Sequence, residues 1–329
     1  MKALVLFLLL GAWISAAVTA RAAETYDSWI ATARIGGLSL EPGADQASID
    51  AIVAAYRDQG VSVIELDPGL SNYLDASGFA AQVAHIDLVS QRAHLVGLKV
   101  VIYYPSLEVL TPNGANIPDT MGKDHPDWLQ VGLNGTPNVF YGTQEHWVPP
   151  DAESAWMSAN STGYKNYFIG RVEQLAATAV DGIWIDVPLY LDTGVQWSDI
   201  HPEAVTAFEA WSAARGYNYS GPPAGEDMSD QKFRHWLQWR NDNLAAFIDE
   251  VRASAMAVNP GWAFVTEVYP LDYLDTIWTG LEPSVLGRAD NSIVVWELDG
   301  VSDSLGMQYA NYEDFSNLIA MAKIAKAFD

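Results

Sequence analysis

The feature that most limits how this chain can fold is a repeated alternation of short apolar runs with longer amphipathic ones. The short runs are ATARIGGLSL, ending at Leu40, VSVIELD (61–67), KVVIYYP (99–105), DGIWIDVP (181–188), AFVTEVY (263–269) and SIVVWEL (292–298). They are rich in Val, Ile and aromatic residues and apolar at almost every position, the pattern of strands covered on both faces. Between them lie ASIDAIVAAYRDQG, FAAQVAHIDLVSQRAHLVGLK, YKNYFIGRVEQLAATA and FRHWLQWRNDNLAAFIDEVRASAMAVNP. Each carries apolar residues at helical spacing, and the first and last stop at Gly60 and at Asn259-Pro260. Strand, helix, strand in regular order means parallel strands joined by crossover helices.

This order predicts an α/β fold, a TIM-type (β/α) barrel spanning residues 29–329. A closed barrel of this kind takes eight strands, and six strand–helix units are legible. The last pattern, YEDFSNLIAMAKIAKAFD, reads as a helix reaching the final residue. The expectation is therefore a barrel without its last one or two βα units. The long segment after the third strand holds Asn134-Gly135, a tight hairpin signal. Insertions at the C-terminal ends of barrel strands are where substrate loops sit.

Residues 1–22 have the order of a secretory signal peptide: Lys2, a continuous apolar stretch, then small residues with cleavage sites after Ala20 or Ala22. The apolar run is short for a bilayer span, so the mature protein is expected to be secreted or periplasmic and free of the membrane. The 329 residues contain no Cys, which excludes disulfides and thiolate metal sites. Acidic residues number 41 against 17 basic ones, for a formal charge of -24. Such a surface repels phosphate backbones. Nucleic acid is not expected as a partner, and neutral or cationic substrates suit the chain better than polyanions.

The candidate chemistry lies at the strand ends. In DGIWIDVPLY, Asp181-Gly182 opens a strand that closes on Asp186. A carboxylate inside an apolar barrel is costly unless it is paired or stands at the mouth, and strand ends on that side carry catalytic groups. The competing reading is an Asp that caps the following loop. Glu267 in FVTEVYP holds the same relative place on the next strand. Its alternative is a structural ion pair with Arg240 or Arg252. Two carboxylates on neighbouring strand ends can flank one glycosidic bond, one protonating the leaving oxygen and the other attacking the anomeric carbon or activating water.

Glu65 and Asp67 end the second strand, and Glu297 and Asp299 the sixth. Glu65, Asp67 and Glu297 are expected to contact substrate, with Tyr104 from the third strand. Trp128, Trp147, Trp156, Trp184 and Trp197 fall in or beside the expected mouth loops. Flat rings with a polar N–H suit the apolar faces of sugars; the first four are taken as sugar contacts, whereas Trp236 and Trp239 on the long helix are taken as core. His125 and His146 also lie in the long loop. The six His residues show no paired zinc spacing, and neither H-E-x-x-H nor G-x-S-x-G is present. No metal and no cofactor is called for.

The run HPDWLQVGLNGTP, then Trp156, then YKNYFIGRVEQLAATAVDGIWIDVP resembles the middle of several barrel glycosidases. It is most similar to the alpha-L-fucosidase-like and hypothetical glycosidase families, and more distantly to the alpha-amylase superfamily. In those enzymes a D-G-hydrophobic-x-x-D strand carries the nucleophilic Asp, which the resemblance places at Asp186. In the amylase-like relatives a Glu ending the next strand is the general acid, matching Glu267. AFEAWSAARGY and FRHWLQWRNDNLAAFIDEVR resemble the helices after the fourth strand in barrel enzymes related to bacterial beta-galactosidases. The pattern spans roughly residues 30–329, and the 125–188 block is its specific part. The resemblance implies a glycoside hydrolase with a retaining mechanism. A carbohydrate-binding protein on a degenerate barrel, or a transglycosylase sharing the nucleophile, fits the same residues.

Overall fold

The computed structural model describes residues 32–142, 147–191, 197–268, 277–282 and 292–296, with Trp29 and Leu286. The chain divides into two units, 1–33 and 34–329, and the sheets and long helices belong to the second. The leader read at 1–22, His146, Glu297, Asp299 and the C-terminal helix lie outside the described residues.

Six strands form one parallel sheet: β1 (Ile35–Ser39), β2 (Val63–Asp67), β3 (Lys99–Pro105), β7 (Gly182–Asp186), β8 (Ala263–Val268) and β9 (Ser292–Trp296). They stand in the order β1-β2-β3-β7-β8-β9, every neighbouring pair parallel. Each strand is laid beside its predecessor in the sheet, always on the same side, which is the winding of a (β/α) barrel. The six runs read from the sequence are these six strands.

Helices cross over between them: α1 (Gln46–Asp58), α2 (Ala76–Leu95), α3 (Thr162–Ala176), α4 (Pro202–Ala214) and α5 (Gln231–Val258). Side-chain oxygens satisfy the open N–H groups of their first turns: Asp45 accepts from Ser48, Asp75 from Gly78, and Asp230 from Lys232. Gly60 and Gly97, with φ of 81°, follow the ends of α1 and α2, where a left-handed residue closes a helix.

Strand parity divides the sheet into two chemically different faces. Ile64, Leu66, Val100, Ile102, Ile183, Ile185, Phe264 and Val268 are buried in the core shared with the helices. The alternate positions are joined by register: Gly37 with Glu65, Glu65 with Val101, Tyr103 with Trp184, and Trp184 with Val265. Partners in a parallel register point the same way, so Glu65, Asp67, Tyr103, Trp184, Asp186 and Glu267 share the face turned away from the helices. In a barrel that face is the interior.

The same parity corrects Tyr104. It belongs to the helix-facing set, its ring centroid is 4.9 Å from that of Phe168 on α3, and it is 4 % exposed. Behind the sheet it has no access to a bound sugar, and Tyr103 takes the interior position.

Between β3 and α3 the chain builds a small antiparallel sheet, β4 (Glu108–Thr111), β5 (Val139–Tyr141) and β6 (Glu153–Trp156), in the order β4-β6-β5. Asn134-Gly135 makes the expected tight turn: Gly135 has φ 82°, and Gly132 N donates to Thr136 O at 3.0 Å. Two acids are buried here. Glu153 accepts from Thr120 Oγ1 at 2.6 Å, Gly122 N at 2.8 Å and Tyr141 OH at 2.9 Å. Glu108 accepts from Ser154 Oγ at 2.6 Å and Trp147 Nε1 at 2.9 Å. Trp156 on β6 is 1 % exposed and donates to Ser154. That corrects the expectation that it contacts substrate, because a fully covered indole offers no face to a ligand.

A second apolar cluster joins α4 and the start of α5 around Trp197, Phe208, Phe233, Trp236 and Trp239. Trp236 and Trp239 are core, as their helical spacing indicates. Among the described residues no helix is long and apolar enough to cross a membrane.

Candidate active site

Asp186 is the last residue of β7, and its backbone is fixed from the neighbouring strand end. Ser106, the residue after β3, donates to Asp186 O from its backbone N at 2.9 Å and from Oγ at 3.1 Å. The carboxylate has a donor for each oxygen: Tyr103 OH to Oδ2, and Val187 N to Oδ1. Val187 has φ 41°. A β-branched residue in the left-handed region is strained by about 1–3 kcal/mol, and such strain concentrates where a side chain is aimed for function. The strain sits on the residue that turns the chain immediately after Asp186.

Glu267 is on the adjoining strand. Ile185 is in register with Thr266, so the next pair along the two strands is Asp186 with Glu267. Neighbouring strands lie about 4.8 Å apart, which sets the two carboxyl groups side by side on the interior face. Trp184 Nε1 donates to Glu267 Oε2 at 2.8 Å. Both acids are largely buried, at 7 % and 8 % exposure.

On the other side of β3, Glu65 and Asp67 present to the same face. Asp67 Oδ1 accepts from Gly69 N at 2.9 Å, closing the turn after β2. Glu65 lies against Gly37, where a Cβ would stand 3.1 Å from its Oε2. Burial first, then the negative charges of Asp67 and Asp186, push the Glu65 carboxyl up to about 7. One interior face thus brings together Asp186, Glu267, Glu65, Asp67 and Trp184 of the residues singled out in the sequence and adds Tyr103, while Ser106 and Val187 hold Asp186 from just beyond the strand ends.

The remaining aromatic candidates are placed elsewhere. Trp128 is stacked on His125, with centroids 3.7 Å apart and planes at 6°, and packs beside Tyr164 and Tyr167 of α3. Trp147 is 40 % exposed, with its indole N–H fixed on Glu108. Trp197 is buried against Phe233. Among the described residues no group of three or more His, Cys, Asp or Glu side chains is placed to hold a metal ion.

The loop after β7 holds a buried acid that the sequence patterns do not single out. Asp199 accepts from Ser158 Oγ at 2.5 Å, His201 N at 2.8 Å and Val131 N at 3.0 Å. Burial pushes its carboxyl up, and its partners tie this loop to the hairpin that starts at Val131.

The sequence matches no protein-family model and no curated protein sequence. Its fold does match solved structures. The glycoside hydrolase domain of PgaB (BpsB) from Bordetella bronchiseptica is 15 % identical with a TM-score of 0.59, over 89 % of this chain and 81 % of that one. A beta-galactosidase from the Antarctic haloarchaeon Halorubrum lacusprofundi is 16 % identical with a TM-score of 0.56, over 85 % of this chain and 42 % of that one. The catalytic domain of beta-amylase from Paenibacillus polymyxa is 13 % identical with a TM-score of 0.51, over 80 % and 76 %. The chain spans less than half the length of the beta-galactosidase. At these identities the likeness is one of fold, the (β/α) barrel on which these glycosidases are built.

Proposed function

We propose that this protein is a glycoside hydrolase acting on the O-glycosidic bonds of an oligosaccharide or polysaccharide. The observation that carries the reading is the pairing of Asp186 and Glu267 on adjoining strand ends of the interior face, each with a fixed hydrogen-bond donor. Glycoside transfer to water needs two carboxyl groups flanking one acetal and little else from the protein.

Asp186 serves as the ionised partner at the anomeric carbon. Donors to both of its oxygens hold one orientation and favour the anion. The role of acid falls to a glutamate of the same face; the resemblance to amylase-like enzymes favours Glu267. With the nucleophile on the D-G-I-W-I-D strand, as in fucosidase-like enzymes, the reaction is retaining. The leader-like N-terminus supports work outside the cytoplasm, and the acidic surface supports a neutral or cationic glycan rather than a nucleic acid.

The test is incubation of the full-length protein with a series of activated fluoro-glycosides, followed by peptide mass spectrometry. An adduct on Asp186 is the expected result. Turnover of none of the sugars, with no adduct on any carboxylate, overturns the reading in favour of a protein that only binds glycan.

A further inference from the structure

Among the described residues four carboxyl groups share the interior face, and they are not equivalent. Asp67 takes a backbone N–H from Gly69, Asp186 takes the Tyr103 hydroxyl and the Val187 N–H, and Glu267 takes the Trp184 indole. Each of these three is held in place by a donor. Among the described residues none donates a hydrogen bond to the Glu65 carboxyl. Burial and the negative charges of Asp67 and Asp186 raise the affinity of the Glu65 carboxyl for a proton.

We propose that Glu65 is the proton donor of this site, inward-facing on β2 beside the bare backbone of Gly37 and on the same face as Asp186. The inference rests on the glycosidase reading and moves the acid from Glu267 to Glu65. Glu65 is in register with Val101 and through it with Gly182, so Asp186 stands further toward the strand ends on the same face, and its negative charge still reaches Glu65. Among the described residues the titratable groups on the face of Glu65 are Asp67 on its own strand, Tyr103 on β3, Asp186 on β7 and Glu267 on β8; the interior positions of β1 are Ile35, Gly37 and Ser39. No described cation stands among them to draw the proton off, and Lys99, at the opposite end of β3, is paired with Asp181.

In the first step the Glu65 O–H protonates the glycosidic oxygen as the bond from that oxygen to the anomeric carbon breaks. The bonding pair leaves with the oxygen, which departs as an alcohol, while an Asp186 oxygen bonds to the anomeric carbon. In the second step water attacks that carbon, Asp186 leaves with its electron pair, and the Glu65 carboxylate takes the proton from water. Glu267, fixed by Trp184, remains an anion that accepts from a sugar hydroxyl. The rise of the Glu65 carboxyl to about 7 agrees with this assignment, since an acid working near neutral pH needs its proton there.

The experiment compares full-length wild type, Glu65→Gln and Glu267→Gln on two series of substrates, methyl glycosides and dinitrophenyl glycosides of the same sugars. Dinitrophenolate leaves without a proton and so bypasses the acid. In kcat/KM, which reports the first step alone, Glu65→Gln is expected to lose about a hundredfold or more on methyl glycosides and less than about tenfold on dinitrophenyl glycosides. It is also expected to lose the fall in rate that wild type shows as pH rises through about 7. The proposal is overturned if Glu65→Gln loses both series equally or neither, or if the split belongs to Glu267→Gln; the glycosidase reading survives all three results. Turnover of neither series by wild type overturns both.

Discussion

The Tyr103 hydroxyl donates to Oδ2 of Asp186 across the β3–β7 junction, from a position two residues before the end of its strand. The bond joins adjacent staves of the interior face and turns one oxygen of the carboxylate toward β3, while Val187 N–H takes the other. Tyr103→Phe removes that donor and leaves the ring in place. It is expected to lower kcat by about tenfold to a hundredfold, the scale of one charge-assisted hydrogen bond at about 1.5–3 kcal/mol. Steady-state kinetics beside a thermal melt check it, and a rate within about twofold of wild type would remove Tyr103 from the site.

Much of this arrangement is legible in the amino-acid order alone, for a definite reason. Strands buried on two faces announce themselves as apolar runs, so an acid at the end of such a run stands out; Asp186, Glu267, Glu65 and Asp67 are all visible that way. Side is what the order hides. In VVIYYP two tyrosines are consecutive, and only the register with β7 shows that Tyr103 looks inward and Tyr104 toward Phe168. Trp156 misleads for a related reason: its segment precedes a helix like a loop, yet it forms β6 and is covered there by the small sheet and the core. Ser106 and Val187 carry no signal, because backbone clamps and a positive φ leave no mark on residue type. Glu65 is visible as an acid, but its burial beside Asp67 and Asp186 is a property of several strands together.

The raised Glu65 carboxyl has a consequence for stability. Its value in the fold, about 7, lies above the ordinary 4.5, so the folded protein holds a proton more tightly than the unfolded chain between those values. The proton's stabilising effect is complete below about 4.5 and is lost as pH rises through about 7. Glu65→Gln has no charge to bury. It is expected to be more stable than wild type at about pH 8 by at most about 3 kcal/mol, at about 1.4 kcal/mol for each tenfold change in proton affinity, with the gap shrinking toward about pH 5. Urea unfolding at the two pH values measures it, and equal stability at both would contradict the burial of a proton at Glu65.

Gly182 opens β7, at the opposite end of that strand from Asp186. A Cβ there would lie 2.6 Å from Ala263 O and 2.7 Å from the Ala263 Cβ. The backbone of β8 has no soft way to move aside, because it is hydrogen-bonded to β7 and β9. Gly182→Ala is expected to cost about 1–3 kcal/mol by overpacking, read as a shift in the urea midpoint. Since the clash bears on the strands that end in Asp186 and Glu267, the folded fraction should also lose activity. A neutral effect on both would mean that β7 and β8 are less closely joined than their register indicates.

Arg240 on α5 ties together the loops that follow β7 and β8. Its guanidinium donates to Ile277 O at 2.8 Å and to Trp278 O at 2.5 Å, in the segment after β8. It also lies 4.5 Å from the ring centre of Tyr190, in the loop after β7, and 5.0 Å from that of Trp236. A buried guanidinium among aromatic rings exchanges hydration for ring quadrupoles and carbonyl dipoles, and only its full set of partners offsets the loss. Arg240→Met keeps most of the volume but leaves two carbonyls without their donor. At about 1–3 kcal/mol for each of the two unmet groups, the expected cost is about 2–6 kcal/mol. Arg240→Lys should recover little of it, because an ammonium cannot serve two carbonyls and lie flat on Tyr190 at once. Denaturant unfolding of both variants gives the comparison. Recovery by lysine to within about 0.5 kcal/mol of wild type would show that the charge alone, and not the planar fork, holds the two loops together.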